Sequence, residues 1–199
     1  MTDTMTRTPE QGTTEGTESD TAAPFTVTIE GTKENLAGIA ATAVFAGARD
    51  KATPILDTVR FTATHAIATD RYVVGRFEHT PENIEAGEGI VIPREIAEWL
   101  GKIKPSASAQ LAVPASAVIS ITAERAEYTE FGRVIESRSF TPVGGNFPPV
   151  ERLIFDHSDE LQETMPFALS PKNLGKVVKA GALISASLGK QETAIRFQH

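Results

Sequence analysis

From Phe25 onward the chain is organised by two hydrophobic periods. FTVTIEG (Phe25–Gly31) alternates apolar and polar residues, the period of a half-buried strand. The period then changes. Leu36, Ile39, Ala40, Ala43 and Val44 fall at i, i+3, i+4, i+7 and i+8, which predicts a helix from Lys33 to about Ala48 with one apolar face. Ala52-Thr53-Pro54 ends it. DTVRFTAT and HAIATDRYVVGRFEH read as consecutive antiparallel strands. A second helix is expected from Pro93, with proline at the first helical position and Ile96, Trp99, Leu100 and Ile103 on one side. AVISITAER and EYTEFGRVIESRSF then read as strands again. Strand, helix, strands, helix, strands is the order of an α+β protein with mainly antiparallel sheet.

The C-terminal part echoes the opening. MPFALSPKNLGKVVKAGA repeats the plan of FTVTIEGTKENLAGIAATA: a strand, a polar break, then Asn-Leu opening a helix (Asn35-Leu36 and Asn173-Leu174). Further on, Ile195-Arg196-Phe197 echoes Val59-Arg60-Phe61 in nearly the same register. The expected organisation is a complete unit over residues 25–155 and the beginning of a second, incomplete one over residues 161–199. Its unfinished sheet would leave an exposed edge.

Composition narrows the class. With 199 residues and 40% hydrophobic content the chain can build one ordinary core and part of another. Residues 1–24 are rich in threonine, glycine, glutamate and proline and offer almost nothing to bury. They carry Asp3, Glu10, Glu15, Glu18 and Asp20 against Arg7, so most of the net charge of -7 sits there, and a disordered acidic tail is expected. No apolar run approaches the ~18 residues of a membrane span, and the N-terminus lacks the order of a secretory signal; no membrane partner and a cytoplasmic location are expected. The absence of cysteine removes disulfides, thiolate metal sites and cysteine nucleophiles.

Catalytic patterns are absent. His65, His79, His157 and His199 are scattered without ligand spacing, so no metal and no cofactor are expected. Gly144-Gly145 precedes neither a helix nor a Lys-Ser/Thr pair and reads as a turn. Trp99, in helical register with Leu100 and Ile103, reads as core. Asp70 beside Arg71 reads as a local ion pair or a turn-stabilising carboxylate rather than a catalytic acid. Lys172, Lys176 and Lys179 lie at i, i+4 and i+7 and form one stripe, opposite Leu174, Val177 and Val178.

Three stretches carry a resemblance: ATDRY (Ala68–Tyr72), GGNFPPVERLI (Gly144–Ile154) and FALSPKNLGKVVKAG (Phe167–Gly181). In this order and at these separations they resemble the bacterial DNA polymerase III beta subunit, the sliding clamp, or a phage-encoded relative. The resemblance implies the DNA clamp fold, two helices per domain backed by antiparallel strands, with residues 25–155 corresponding to the middle domain of a clamp. It implies a non-enzymatic processivity factor that encircles or helps encircle duplex DNA and docks short peptides of polymerases and clamp loaders. The alternative is a clamp-derived partner-binding module that does not encircle DNA. A homo-oligomer is expected if the chain is complete.

The resemblance also assigns residues. The peptide groove would comprise Leu56, Thr69, Asp70, Arg71, Tyr72, Val73, Val74, Pro148, Arg152 and Leu153, apolar pockets with a few orienting polar groups. The family usually places a basic residue after the aromatic, where this chain has Val73, and the other wall of the groove comes from a part of the last domain that this sequence lacks. Weaker peptide affinity than in a whole clamp follows. Sequence-independent phosphate contacts would come from Lys172, Lys176 and Lys179, from Lys102 and Lys104 on the second helix, where Glu95 and Glu98 dilute the charge, and from Arg49 and Lys51 in the loop before Pro54.

Overall fold

A computed structural model describes residues 25–47, 52–79, 81–83, 89–112, 116–150 and 170–188. Strand β1 (Val27–Glu30) runs into helix α1 (Lys33–Ala43) through the N-cap Thr32, whose hydroxyl accepts from the Asn35 amide at 3.1 Å. The Asn35 side chain reaches back to the Glu30 carbonyl at 2.8 Å, so the strand-to-helix corner is tied from both sides. A 3-10 turn (Pro54–Asp57) leads into β2 (Thr58–Phe61), β3 (His65–Thr69) and β4 (Val74–Glu78). After the short β5 (Pro81–Asn83) come β6 (Ile90–Pro93), α2 (Arg94–Leu100) and the single turn α3 (Ala107–Leu111). Strands β7 (Ala117–Ile121), β8 (Arg125–Glu130) and β9 (Arg133–Ser139) follow, then helix α4 (Pro171–Leu188).

The strands form two antiparallel sheets, ordered β5-β1-β7-β8-β9 and β4-β3-β2-β6. The class is α+β with antiparallel sheet. Two runs of similar plan, β1-α1-β2-β3-β4 and β6-α2-β7-β8-β9, exchange their first strands: β1 pairs with β7 (Ile29 opposite Ile119), and β6 pairs with β2 (Ile92 opposite Val59). The likeness reaches the residues. FTATHAIATD (Phe61–Asp70) and ITAERAEYTE (Ile121–Glu130) occupy matching places, and each begins with the same hydroxyl-braced turn. Thr62 Oγ1 accepts from the His65 amide at 3.1 Å, and Thr122 Oγ1 from the Arg125 amide at 3.1 Å.

Inward residues of both sheets (Val27, Ile29, Val59, Phe61, Ile119, Ile121, Tyr128) meet Leu36 and Ile39 of α1 and Trp99 and Leu100 of α2 in one core. Helix α1 is buried at every position from Asn35 to Ala43, since β2, β3 and β4, helix α2 and helix α4 all pack against it. Close approach to β4 needs two glycines. A Cβ at Gly38 would collide with the Phe77 ring, and a Cβ at Gly75 with the Phe45 ring, so helix and strand each offer a gap to the other's aromatic.

Four expectations need correction. ATDRYVVG does not continue as a strand: β3 ends at Thr69 and β4 starts at Val74. EYTEFGRVIESRSF is likewise cut by a turn at Phe131-Gly132, where both residues have positive φ. Pro93 is the last residue of β6, opposite Thr58, and precedes the helix rather than opening it. On α4, Leu174 and Val178 face outward, and Ala180 is the buried residue. The elements β5 and α3 carry too few residues to show a period.

Candidate functional site

The Thr69–Val74 segment is a tight turn held by its own side chains. Thr69 Oγ1 donates to the Val73 carbonyl at 2.9 Å and accepts from the Arg71 amide at 3.1 Å. Asp70 Oδ1 accepts from the amides of Tyr72 (3.0 Å) and Val73 (3.1 Å), an Asx-type brace. Arg71 is thereby held at φ +80, a region that a non-glycine residue enters at a cost of ~1–2 kcal/mol. Its guanidinium donates to Thr53 Oγ1, across from the turn. The result projects Tyr72 into solvent at 82% exposure.

The other Asp70 oxygen serves a different purpose. Lys176 Nζ, from the first turns of α4, donates to Asp70 Oδ2 at 2.8 Å and to the carbonyls of Phe45 and Ala46, each at 3.3 Å. Those carbonyls lie just past the end of α1, where backbone acceptors point at a cation. Burial pushes the Asp70 carboxyl up, but the bond from Lys176 and the two turn amides outweigh it and hold it below its ordinary value. Asp70 and Lys176 are only 10% and 17% exposed, so this is a mostly buried ion pair rather than a surface one.

Gly47 completes the junction. Its amide donates to the Leu56 carbonyl at 2.7 Å, and a Cβ built on it would lie 3.2 Å from Leu56 Cβ and 3.7 Å from Asp70 Cα. Gly145, at φ +118 where a turn was expected, lies against Ile55, and Pro148 is half-buried three residues further on, accepting from the Val150 amide at 2.8 Å. Among the described groove candidates, Leu56 and Thr69 are buried, Asp70 lies beneath Lys176, and Val73, Val74 and Pro148 are half-buried; Arg71 and Tyr72 are exposed. Arg152 and Leu153 lie outside the described residues, as do Arg49 and Lys51.

The lysine stripe is divided. Lys172 and Lys179 are exposed, whereas Lys176 turns inward to Asp70. Lys102 and Lys104 are exposed beyond α2. Glu98 is engaged by Arg94, which also bonds Asp57 at 2.7 Å, so Glu95 remains as the exposed acid of that helix. Trp99 is buried as expected; its indole N–H donates to Glu136 at 3.1 Å and Arg138 lies over its ring at 5.0 Å. Helix α4 runs antiparallel to α1: Lys176 sits at the C-terminal end of α1, while Ser187 Oγ donates to the Lys33 carbonyl at the other (3.2 Å). A cavity of about 330 Å³ at that far end is lined by Thr32, Lys33, Gln110 and Ser187, away from the Asp70 turn. Among the described residues no group of three potential ligands could hold a metal, and no helix is long and apolar enough to cross a membrane.

Sequence reading missed the partnership of Asp70 and Lys176 and the roles of Phe45, Ala46, Gly47 and Thr53. Backbone carbonyls leave no trace in residue type, and the ion pair joins positions 106 apart.

No family model matches the chain, and no curated protein matches it. Solved structures similar to it include three sliding clamps. The clamp of Bartonella birtlesii bound to griselimycin is 18% identical, with a TM-score of 0.43 over 70% of this chain and 37% of that one. The DNA polymerase III beta subunit of Pseudomonas aeruginosa is 16% identical, with a TM-score of 0.44 over 74% and 36%. That of Borrelia burgdorferi, in complex with a natural product, is 16% identical, with a TM-score of 0.44 over 69% and 35%. The chain thus spans little more than a third of the length of the clamps it is similar to.

Proposed function

We propose that this chain is a non-catalytic, clamp-like replication module whose Asp70 turn docks short peptides of DNA polymerases or clamp loaders. The observation that carries the reading is the turn itself. A braced Thr-Asp-Arg-Tyr segment holds Arg71 in a strained conformation and extends an aromatic ring into solvent, and strain of this kind is retained where it positions a group. Tyr72 offers a flat exposed aromatic surface with the Arg71 cation next to it in the chain, and the half-buried Val73, Val74 and Pro148 would add apolar contacts, the composition of a peptide-docking site. Arg152 and Leu153 join this set by their place in the GGNFPPVERLI stretch.

The test uses overlapping fluorescent peptides tiling the catalytic subunit of a bacterial replicative polymerase, titrated into the full chain. The expected result is saturable binding by a few peptides with apolar side chains, weakened about tenfold or more by Tyr72→Ala. Binding by none, or binding indifferent to Tyr72, would refute the docking.

A second reading is favoured by the exposure of Lys102, Lys104, Lys172 and Lys179: the chain also contacts duplex phosphates without sequence preference and, joined to further clamp domains, helps to surround DNA. Arg49 and Lys51 would add to that surface.

A further inference from the structure

We infer that α4 is a displaceable cover on the Asp70 turn, with Lys176 as its latch, so that peptide docking and α4 docking oppose each other. The inference rests on the peptide-docking reading and names the regulation of that site.

A docking site should present its polar anchors, and here one is occupied from within. The Asp70 carboxylate is 10% exposed because Lys176 of α4 lies on it. A peptide that used this carboxylate, or that shifted the turn to enter beneath Tyr72, has to contend with Lys176 first. Asp70 transmits the conflict directly. Oδ1 holds the amides of Tyr72 and Val73 while Oδ2 holds Lys176, so one planar group of three atoms sets both the turn and the helix.

Helix α4 buries few apolar side chains for its length. Of its described side chains Ala180 is buried, Val177 and Ile184 are half-buried, and Leu174, Val178 and Leu183 are exposed. Its attachment combines this packing along α1 with polar contacts near its two ends, Lys176 to Asp70 and the α1 terminus, and Ser187 to the Lys33 carbonyl. An element with few buried apolar side chains belongs to the low-stability end of a fold. Helix α1 beneath it is anchored on its other sides by β2, β3, β4 and α2, so the body persists when α4 lifts. Lys176 is the group whose loss is felt most, because it satisfies three acceptors at once.

The experiment uses the full chain and three variants. Lys176→Gln removes the latch but leaves the turn amides on Asp70. Ala180→Leu overfills the α4–α1 contact without touching the turn. Lys176→Arg keeps the charge. Hydrogen exchange of α4 and the affinity of the tightest polymerase-derived peptide are measured on each. Lys176→Gln and Ala180→Leu are expected to speed exchange across α4 and to tighten the peptide by roughly five- to tenfold, with Lys176→Arg close to the parent. Saturating peptide on the parent chain should speed α4 exchange in turn, since coupling is reciprocal. Faster exchange with unchanged or weaker peptide affinity would overturn the cover while leaving the docking reading intact. Unchanged exchange in Lys176→Gln would overturn the latch. Absence of peptide binding in the parent and in both loosened variants would remove the docking reading itself, and the inference with it.

Discussion

Lys176 and Asp70 form an ion pair of 2.8 Å that joins helix α4 to the turn between β3 and β4 and closes the C-terminal end of α1. Its pH dependence follows from the depressed carboxyl. A group whose folded pKa lies below its unfolded value contributes stability that is present above the unfolded value and lost as pH falls through the folded one. The stability difference between the parent chain and Asp70→Asn, measured by urea unfolding, should therefore be on the order of 1–2 kcal/mol at neutral pH and shrink below the ordinary carboxylate value of 3.8. A difference that persists undiminished into strong acid would show that charge is not what Asp70 contributes.

His79 acts in a separate window. It is buried, stacks on Phe61 with ring centroids 6.4 Å apart, and neither ring nitrogen has a hydrogen-bond partner among the described residues. Burial is the main cause, with the nearby His65 assisting, that lowers its pKa to about 4. The unfolded chain thus binds the proton more readily, so stability falls as pH drops from 6.5 towards about 4, by at most about 1.4 kcal/mol per pH unit. His79→Leu should flatten that slope and raise stability at pH 5. An unchanged slope in urea titrations would place the titrating group elsewhere.

The glycine–aromatic contacts between α1 and β4 leave no room for a methyl group. Gly38→Ala and Gly75→Ala should each cost about 2 kcal/mol in urea unfolding, because the Phe77 and Phe45 rings are already packed against α1 and β4. A cost within experimental error would mean that β4 stands further from α1.

Phe131 is the counterpart of Arg71, with φ +49 in the matching turn of the second run, and its ring is mostly exposed. Phe131→Gly should stabilise by about 0.5–1 kcal/mol, since relief of the left-handed strain exceeds the burial lost. Destabilisation would show that the ring has packing that the strain supports.

Duplex contact has its own signature. If Lys172 and Lys179 meet phosphates, replacing both by glutamine should weaken retention on DNA and lower the salt slope by about 2, whereas Lys176→Gln should leave that slope unchanged. Equal slopes in all three proteins would argue against the helix as a DNA surface.

Much of the body was legible from period alone: the alternation of Val27–Glu30, the helical register of Leu36, Ile39 and Ala43, and the core position of Trp99 all reappear. What failed did so for identifiable reasons. Thr69, Tyr72 and Val73 are strand-like residue types, yet the bonds of the Thr69 and Asp70 side chains to the local backbone outcompete the ladder. The second run, Ile121–Glu130 repeating Phe61–Asp70, shares only Thr-Ala, Ala and Thr at matching places, too few identities to stand out without the paired turns. For α4, the three lysines share a stripe by spacing, and only the position of α1 decides that Lys176 turns inward while Lys172 and Lys179 do not.

The most direct test of the account is a hydrogen-exchange footprint of the full chain with and without the tightest polymerase-derived peptide. Docking at the Asp70 turn should slow exchange of the amides from Arg71 to Val74 and around Val150 while α4 exchanges faster. A footprint confined to other elements, or no footprint under saturating peptide, would contradict it.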